Sequence, residues 1–287
     1  MGPRRQHGRD EPPAPDPLPS PVFDAHCHLD AIAQRAGVSP DRAFVANVMA
    51  RARAVGVTGV ITVGDTIVSS TWCVQAANEH PDVYAAVAVH PNEIAGMTDA
   101  DYTHLESLAQ HQKVVAIGET GLDYYWDRTD PDEQREHFRR HIDLAKRVRK
   151  PLMVHDRDAH DDVLHILAEG APSQVVLHAF SGDETMARTC AAAGYVLSFA
   201  GVVSFTNAPQ LRAAAAATPM RHILLETDAP FLTPHPYRGR PNSPYLLPYT
   251  VQAMAAALGV RPIELCTAVA TNGERVFGIS SLQNTEN

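Results

Sequence analysis

The feature that most constrains the fold of this chain is a series of eight short, β-branched apolar runs separated by amphipathic stretches. The runs begin at residues 22, 57, 83, 113, 151, 174, 195 and 222. The helix-like stretches include residues 41–55, 131–148, 185–193, 249–258 and 262–277. Alternating strands and helices predict parallel strands joined by right-handed crossovers. Eight such units in 287 residues predict an α/β fold, a (β/α)8 TIM barrel, with an open doubly wound sheet as the alternative.

The barrel is expected to be a single domain that spans residues 21–280. No internal repeat, low-complexity tract or linker divides this part of the chain. Residues 1–20 are rich in proline and predict a disordered leader, and their paired arginines are not followed by the apolar segment of an export signal. Residues 281–287 are expected to form a C-terminal tail. No apolar run reaches the length of about 18 residues that a membrane helix needs, so we expect no membrane contact.

Charge and cysteine content limit the partners of the protein. The formal net charge of −9 argues against a protein that coats nucleic acid through bulk charge, but it is compatible with an enzyme that meets phosphates locally. The one dense basic segment, residues 135–150, has apolar residues at helical spacing, which favours a solvated outer helix face over a DNA-contact patch. The four cysteines show no CxxC spacing, so we expect reduced thiols and a cytoplasmic location. We also expect a monomer.

Polar side chains close several predicted strands at the same end. His26 and His28 lie two residues apart near the end of the first run, so they share one face of that strand. Later runs end in four further polar residues, Glu119, His155, His178 and Asp228. All strands of a parallel barrel end at one rim, so the six side chains are expected to converge there. The alternative is six separately satisfied buried polar groups, each of which is costly to bury.

Six side chains of these types predict a metal centre. They exceed what one tetrahedral ion requires, which indicates two divalent metal ions joined by a bridging carboxylate. Glu119 is the candidate bridge, and Asp228 can both bind metal and accept a proton from a water molecule. Four imidazoles favour zinc, manganese or iron, with magnesium as the less suited alternative. Such a centre predicts hydrolysis but does not identify the bond that is cleaved.

The order of the motifs resembles one known family. The chain contains, in order, "DAHCHLD", "AVHPNE", "IGETGLDYY", "MVHDRDA", "LHAFSGD", "LLETDAPFLTP" and "YRGRPNSP". With these motifs, residues 22–280 resemble the TatD-type metal-dependent deoxyribonucleases of the amidohydrolase-like superfamily. The resemblance implies a (β/α)8 barrel with divalent metal that hydrolyses DNA phosphodiesters, often as a 3′ to 5′ exonuclease and in some members at abasic sites. The implied roles are first-metal ligands for His26 and His28, the bridge for Glu119, second-metal ligands for His155 and His178, and ligand and base for Asp228.

Three other polar residues near the expected rim are candidates for the same site. Glu226 in "ETD" and His90 in "HP" lie where the family also places polar residues, and either could hold a third metal or hydrogen-bond the ligands. Arg157 follows a candidate ligand by two residues and could clamp a phosphate oxygen. The alternative for this arginine is an ion pair with one of the neighbouring aspartates.

Four further residues are candidate substrate contacts. Ser181 and Gly182 in "FSG" could offer a hydroxyl and backbone amides at the start of a helix, which is a natural phosphate cradle. Arg238 and Asn242 belong to the loop motif "RGRPNSP". Relatives often carry a glutamate where this chain has Ser243, so the loop departs from the family pattern at that position.

Two other functional classes are compatible with the same barrel. The wider superfamily includes amidohydrolases and esterases, many of which bridge their metals with a carbamylated lysine. Glu119 at the bridging position favours the deoxyribonuclease branch and DNA as the substrate. A non-catalytic barrel is the remaining alternative, but it predicts decayed ligands, and all six are present.

Overall fold

A computed structural model describes residues 10–279, in which eight parallel strands follow one another around one sheet in chain order. The strands are β1 (Val22–Cys27), β2 (Val57–Val63), β3 (Val83–Val87), β4 (Val114–Asp123), β5 (Leu152–Arg157), β6 (Val175–Leu177), β7 (Val196–Phe199) and β8 (Ile223–Leu225). The helices are α1 (Leu29–Ala36), α2 (Arg42–Ala54), α3 (Ile67–Glu79), α4 (Asp99–Leu108), α5 (Pro131–Val148), α6 (His160–Gly170), α7 (Glu184–Ala192), α8 (Pro209–Ala217), α9 (Leu247–Leu258) and α10 (Pro262–Phe277). Short 3-10 helices lie at Gly201–Ser204, Met220–His222 and Pro244–Leu246.

The two ends of the sheet meet between β1 and the segment that follows β8. The amide of Asp228 donates to the carbonyl oxygen of His26 at 2.9 Å, and the amide of His28 donates to the carbonyl oxygen of Ala229 at 2.7 Å. These hydrogen bonds nearly close the sheet into a barrel. The predicted (β/α)8 fold is therefore confirmed, and the alternative of an open doubly wound sheet is wrong.

All eight predicted strands are present, and α5 shows how local sequence determines a helix boundary. The helix begins at Pro131, directly after Asp130, whose side chain accepts a hydrogen bond from the amide of Asp132 at 2.8 Å. Proline at the first helical position has no amide that would need a partner, and Asp130 satisfies the next one, so this pair specifies the start. The helix ends at Val148, where Arg149 takes the left-handed conformation with φ of 54°.

Two apolar clusters hold the strands in place. The larger cluster combines residues of the strands with residues of the surrounding helices, whereas the smaller one consists of strand residues that face the barrel interior and is completed by the end of α10. The packing of α10 on β1 is tight, because a Cβ at Gly273 would lie 1.8 Å from the ring of Phe23. Only glycine fits this helix position. The close packing of α10 therefore fixes the position of β1, which carries His26 near its other end.

Residues 10–20 differ from the predicted disordered leader. Leu18 is buried, and its amide donates to a backbone carbonyl oxygen at 2.9 Å. Glu11 pairs with Arg51 at 2.9 Å, and the carbonyl oxygen of Pro12 accepts from the hydroxyl of Tyr245 at 2.6 Å. Proline content alone did not reveal these contacts, because an extended proline-rich segment can still dock when it carries an apolar anchor. Residues 1–9 of the predicted leader and the predicted tail at 281–287 lie outside the described residues.

The basic segment lies on the outer side of the barrel, mostly within α5. Its arginines pair with carboxylates of the neighbouring helices, Arg140 with Asp99, Arg147 with Glu106, and Arg139 with Glu169. Exposed pairs of this kind contribute little to stability, but they leave these arginines paired with carboxylates of the protein itself. The segment therefore forms the predicted solvated outer face.

Among residues 10–279, no single helix is long and apolar enough to cross a membrane. Pro244–Leu258 and α10 meet the length and composition test only as a pair, which is bent by 107°. Both members of the pair are core elements here, with Met254 and Leu265 fully buried in the protein.

Candidate metal centre

The structure brings the six predicted ligands together at the end of the barrel where the strands terminate. They are placed by the end of β1 (His26 and His28), by β4 (Glu119), by β5 (His155), by the residue after β6 (His178) and by the segment after β8 (Asp228). Five of the six are buried, and His155 is half-buried. Parallel strands deliver these side chains to one rim, as the sequence predicted.

The first ligand set lies between β1, β4 and the segment after β8. The Nε2 atoms of His26 and His28 are 3.1 Å apart. Oε2 of Glu119 lies 3.4 Å from the first of these nitrogens and 3.6 Å from the second. Oδ1 of Asp228 lies 3.7 Å and 3.6 Å from the same two nitrogens. A tetrahedral ion with ligands about 2.0–2.1 Å away requires ligand separations of about 3.3 Å. The ligand atoms of His26, His28 and Asp228 all lie within 4.8 Å of one another, so these three residues could hold one ion, with Oε2 of Glu119 near both nitrogens.

The other oxygen of Glu119 belongs to a second ligand set. Oε1 lies 2.6 Å from Nδ1 of His155 and 2.7 Å from Nε2 of His178. Those two nitrogens are 3.2 Å apart. The distances to Oε1 are hydrogen-bond lengths, so an ion at this position would spread the side chains by several tenths of an ångström. One carboxylate thus contacts two groups of ligands, as a bridge between two ions requires.

His90 and Asp123 lie next to the second ligand set. Oδ2 of Asp123 lies 3.2 Å from Nε2 of His155, whose Nδ1 faces Glu119. Nε2 of His90 is 3.6 Å from Oε1 of Glu119. His90, Asp123 and His155 offer ligand atoms that all lie within 4.8 Å of one another. Both alternatives predicted for His90, a third metal or contact with the ligands, are compatible with this position.

Buried acceptors orient two of the histidines. Nδ1 of His28 donates to the carbonyl oxygen of Val63 at 2.9 Å. Nδ1 of His178 donates to Oε1 of Glu226 at 3.3 Å, and the same oxygen accepts from the amide of Ala179 at 2.7 Å. Because these acceptors hold a proton on Nδ1, Nε2 is the nitrogen that faces the centre and would bind a cation once its own proton is displaced. The position of Glu226 behind His178 favours hydrogen bonding to a ligand over binding of a third metal.

The electrostatics of the site keep the bridging carboxylate ionised. Burial acts against the charge of Glu119, but the charge of His178 and hydrogen bonds from the surrounding imidazoles hold the pKa of Glu119 well below its usual value. Burial also opposes the charge of His28, yet Asp228 and Glu119 raise the pKa of His28 to about 9. At His90 burial dominates and lowers the pKa to about 3. Some of these imidazoles therefore hold protons that a bound cation would displace.

Arg157 lies at the end of β5, on the exposed rim of the site. Its guanidinium carbon is 3.7 Å from the centroid of the Tyr125 ring. Within the described part of the chain Arg157 forms no ion pair, and Asp156, one of the expected partners, pairs instead with His160 at 2.7 Å. The structure therefore lacks the alternative ion pair, and the guanidinium remains accessible from the cleft.

The predicted phosphate cradle is only partly available. Ser181 lines the cleft, and its hydroxyl donates to the carbonyl oxygen of Asp156 at 3.3 Å. A Cβ at Gly182 would lie 2.3 Å from Sδ of Met186, so Gly182 packs against α7. The side chain of Asp183 caps that helix by accepting from the amide of Met186 at 2.9 Å. A carboxylate at this N-terminus repels phosphate, which argues against a cradle at Gly182 and leaves Ser181 as the stronger candidate.

The two predicted contacts in the "RGRPNSP" loop do not line the cleft. Arg238 is exposed, with its guanidinium 4.5 Å from the centroid of the Phe205 ring. Asn242 is buried, and its side-chain amide donates to the carbonyl oxygen of Thr227 at 2.9 Å and to that of Phe231. Asn242 thus fixes the loop after β8, and direct substrate contact by Arg238 or Asn242 stays a prediction. The sequence could not distinguish an amide that holds a loop from one that meets a ligand.

A cleft of about 620 Å³ opens over the two ligand sets. Its walls include several residues that sequence reasoning missed, among them Asp65, Asn92, Asp123, Trp126, Arg128 and Phe231. Asp123 could have been found from strand alternation, because it lies four residues after Glu119 in the same ten-residue strand and so on the same face. The aromatic residues lie in loops, where no periodicity indicates which way a side chain points.

Comparison with known proteins gives matches over nearly the whole barrel. The profile of a family described as "TatD related DNase" matches residues 23–278. A protein of Mycobacterium tuberculosis named as an uncharacterized metal-dependent hydrolase TatD is 50% identical over 264 residues, which cover 90% of this chain and 98% of that protein. A protein of Erwinia tasmaniensis named 3′-5′ ssDNA/RNA exonuclease TatD is 33% identical over 240 residues, which cover 81% of this chain and 93% of that protein. The crystal structure of YJJV, a TatD homolog from Escherichia coli K12, is 26% identical with a TM-score of 0.82 and covers 90% of this chain and 98% of its own.

Proposed function

Because the chain belongs to the TatD related DNase family of metal-dependent hydrolases, we propose that it cleaves DNA phosphodiester bonds as a 3′ to 5′ exodeoxyribonuclease. The description of the family and the name of the Erwinia tasmaniensis relative support nucleic acid as the substrate. The cleft of about 620 Å³ above the ligand sets offers a place for the end of a strand to bind.

One observation carries the proposal, the division of the Glu119 carboxylate between two ligand sets. Oε2 faces His26 and His28, whereas Oε1 faces His155 and His178. A carboxylate that only stabilised the fold would not need imidazoles on both of its oxygens. The arrangement matches a binuclear hydrolase site, in which two divalent ions share one bridging carboxylate.

The side chains around the centre supply the remaining parts of a hydrolytic site. Bound divalent ions would polarise the scissile phosphate and activate a water molecule for attack. Asp228 completes the first ligand set and carries a second oxygen, so it is the candidate acceptor of the proton from that water. Arg157 at the rim offers a cation to a phosphate oxygen. The remaining ligands fix the positions of the ions.

The proposal can be tested on metal-stripped protein and a 5′-labelled single-stranded DNA. Zn²⁺, Mn²⁺ or Mg²⁺ is restored separately, and the products are separated by length. The wild type is compared with Asp228→Asn, which removes the proton acceptor, and with Glu169→Gln, which changes an exposed carboxylate on the outer face. We expect a ladder that shortens from the 3′ end with the wild type and Glu169→Gln, but only in the presence of metal.

Three results would count against the proposal. Cleavage that survives in Asp228→Asn would indicate a different proton acceptor or a contaminating nuclease. Cleavage without added metal would contradict a metal-dependent mechanism. Intact DNA with all three metals, also when abasic sites are present, would shift the assignment to the amide and ester substrates of the wider superfamily.

A further inference from the structure

Three large aromatic side chains are exposed beside the metal centre. The exposed fractions of Tyr125, Trp126 and Phe231 are 53%, 46% and 44%. Trp126 and Phe231 line the cleft, and the ring of Tyr125 lies edge-on against Trp126 with the centroids 4.9 Å apart. Exposure of large aromatic side chains is unfavourable in water, and their clustering around a cleft marks a binding site. The aromatic rim, as we call these three residues, is therefore expected to contact a ligand.

The aromatic rim is held in position by the residues of the metal centre. Oδ1 of Asp123 accepts from the amides of Tyr125 at 3.0 Å and of Trp126 at 3.3 Å. The other oxygen of the same carboxylate lies 3.2 Å from Nε2 of His155. On the opposite wall, the ring of Phe231 lies edge-on to His28 with the centroids 5.9 Å apart. The rings are thus preorganised relative to both ligand sets, which reduces the entropy lost when a ligand binds.

Cationic side chains accompany the rings. The guanidinium of Arg157 lies over Tyr125, that of Arg128 lies 5.4 Å from the ring centroid of Trp126, and that of Arg35 lies 4.8 Å from that of Phe231. Aromatic faces next to arginines in a groove match the chemistry of single-stranded nucleic acid, which offers unstacked bases and phosphates together. In a duplex the bases are already stacked inside, so a duplex could not use the rings in this way.

The geometry points to the aromatic rim as a stacking platform for the unpaired bases of a single-stranded 3′ end, with Trp126 as its central residue. This inference rests on the proposed nuclease function and assigns residues to the recognition of a single-stranded end, the kind of substrate that the name of the Erwinia tasmaniensis relative states. The metal centre would receive the terminal phosphodiester, the rings would hold the neighbouring bases, and the arginines would face the phosphates. Every base has an aromatic face, so stacking on the platform should not depend on the sequence of the strand. The platform predicts tighter binding of single strands than of duplexes.

Fluorescence measures the stacking without catalysis. The chain contains two tryptophans, and Trp72 lies on α3 with its indole donating to the carbonyl oxygen of Pro40 at 3.2 Å. The double variant Trp72→Phe, Asp228→Asn leaves Trp126 as the single reporter and prevents turnover. We expect oligothymidylate to quench its emission, and a strand of equal length and charge made of abasic sites to leave it unchanged. Equal quenching by both strands, or binding of oligothymidylate without quenching, would overturn the inference.

Kinetics measures the contribution of the ring to substrate binding. Trp126→Ala is expected to raise KM for single-stranded DNA about 10-fold, a loss of about 1.4 kcal/mol, with little change in kcat. Trp126→Phe keeps an aromatic face and should retain most of the affinity. An abasic analogue of the terminal nucleotides should remove the difference between wild type and Trp126→Ala, because the ring then has no base to contact. A 10-fold difference that persists on the abasic end would overturn the inference.

The two experiments separate the inference from the function on which it rests. If the wild type hydrolyses DNA and Trp126→Ala does so with the same KM, the stacking platform is wrong and the nuclease function stands. If the wild type hydrolyses no nucleic acid but oligothymidylate still quenches Trp126, the nuclease function is wrong and the platform is supported as a binding site.

Discussion

Acidification is expected to destabilise the barrel through His141, a fully buried histidine of α5. Nδ1 of His141 donates to the carbonyl oxygen of His137 at 2.8 Å, and Nε2 accepts from the amide of Val89 at 3.3 Å. The hydroxyl of Tyr102 lies 3.4 Å from Nδ1. The ring thus holds the backbone just before His90, at the wall of the metal centre. A second proton on Nε2 would remove the acceptor of a buried amide.

The magnitude follows from the difference in proton binding between the folded and unfolded chain. Burial lowers the pKa of His141 to about 4, with the nearby His137 and Arg140 acting in the same direction and the carbonyl contact opposing. In the unfolded chain the pKa is about 6.5. Between these values the unfolded chain binds more protons, so the free energy of unfolding falls as pH falls. For this one group the loss is about 2 kcal/mol between pH 7 and pH 5, and about 3 kcal/mol by pH 4.

Two variants isolate this contribution. His141→Gln can keep an acceptor near the position of Nε2, whereas His141→Asn resembles the Nδ1 side of the ring and loses the contact with Val89. Neither substituted side chain binds a proton in this range. Between pH 7 and pH 5 the free energy of unfolding should therefore fall by about 2 kcal/mol less in both variants than in the wild type. Urea unfolding of metal-stripped protein, followed by fluorescence at both pH values, measures the difference. At pH 7, His141→Asn should be less stable than His141→Gln by about 1–3 kcal/mol, because a buried amide is left unpaired.

The reasoning would be refuted by equal losses of stability in the wild type and His141→Gln between pH 7 and pH 5. That result would mean that the folded protein protonates this ring as readily as the unfolded chain does. Other histidines also contribute to the pH dependence, but they are common to all three proteins and cancel in the comparison.

Three further predictions concern the centre and the fold. Glu119→Gln should lower the metal content from two divalent ions per chain to one or none by elemental analysis, while Glu169→Gln retains the wild-type content; equal contents would contradict the bridge. Gly121→Ala should lower Tm far more than Gly96→Ala, because both have positive φ but only the Cβ at 121 would lie 2.0 Å from a carbonyl oxygen of β5; equal shifts would refute the steric argument. Leu18→Ala should destabilise the protein by about 2–3 kcal/mol in urea unfolding, and an unchanged midpoint would show that residues 10–20 do not belong to the folded unit.

The fold and the metal centre could be predicted from sequence because both depend on regular strands. A buried parallel strand such as β2 is apolar on both faces, so it stands out as a β-branched run. A polar residue that closes such a run, as His155 and His178 do, is unusual enough to indicate a function. Parallel strand direction then places these residues at one rim without knowledge of any contact.

The remaining features depend on contacts between segments that no local pattern reveals. Asn242 was predicted to meet substrate, but its amide is used by backbone carbonyls of the loop after β8. Leu18 was assigned to a disordered leader because its neighbours are prolines, and only the packing of that residue against the barrel shows otherwise. The aromatic rim lies in loops, where the direction of a side chain is fixed by a distant acceptor such as Asp123.

Closure of the barrel between β1 and the segment after β8 determines when the protein can become active during its synthesis. The ribosome makes His26 and His28 with the first strand, but Asp228, which lies close to both of them, is made only after the eighth strand. The helix that packs Gly273 against Phe23 beneath the first strand follows later still. A nascent chain therefore carries isolated imidazoles and no assembled centre for most of translation. For an enzyme proposed to cut nucleic acid, the order of the strands delays activity until the segment after β8 and the helix beneath β1 have been synthesised.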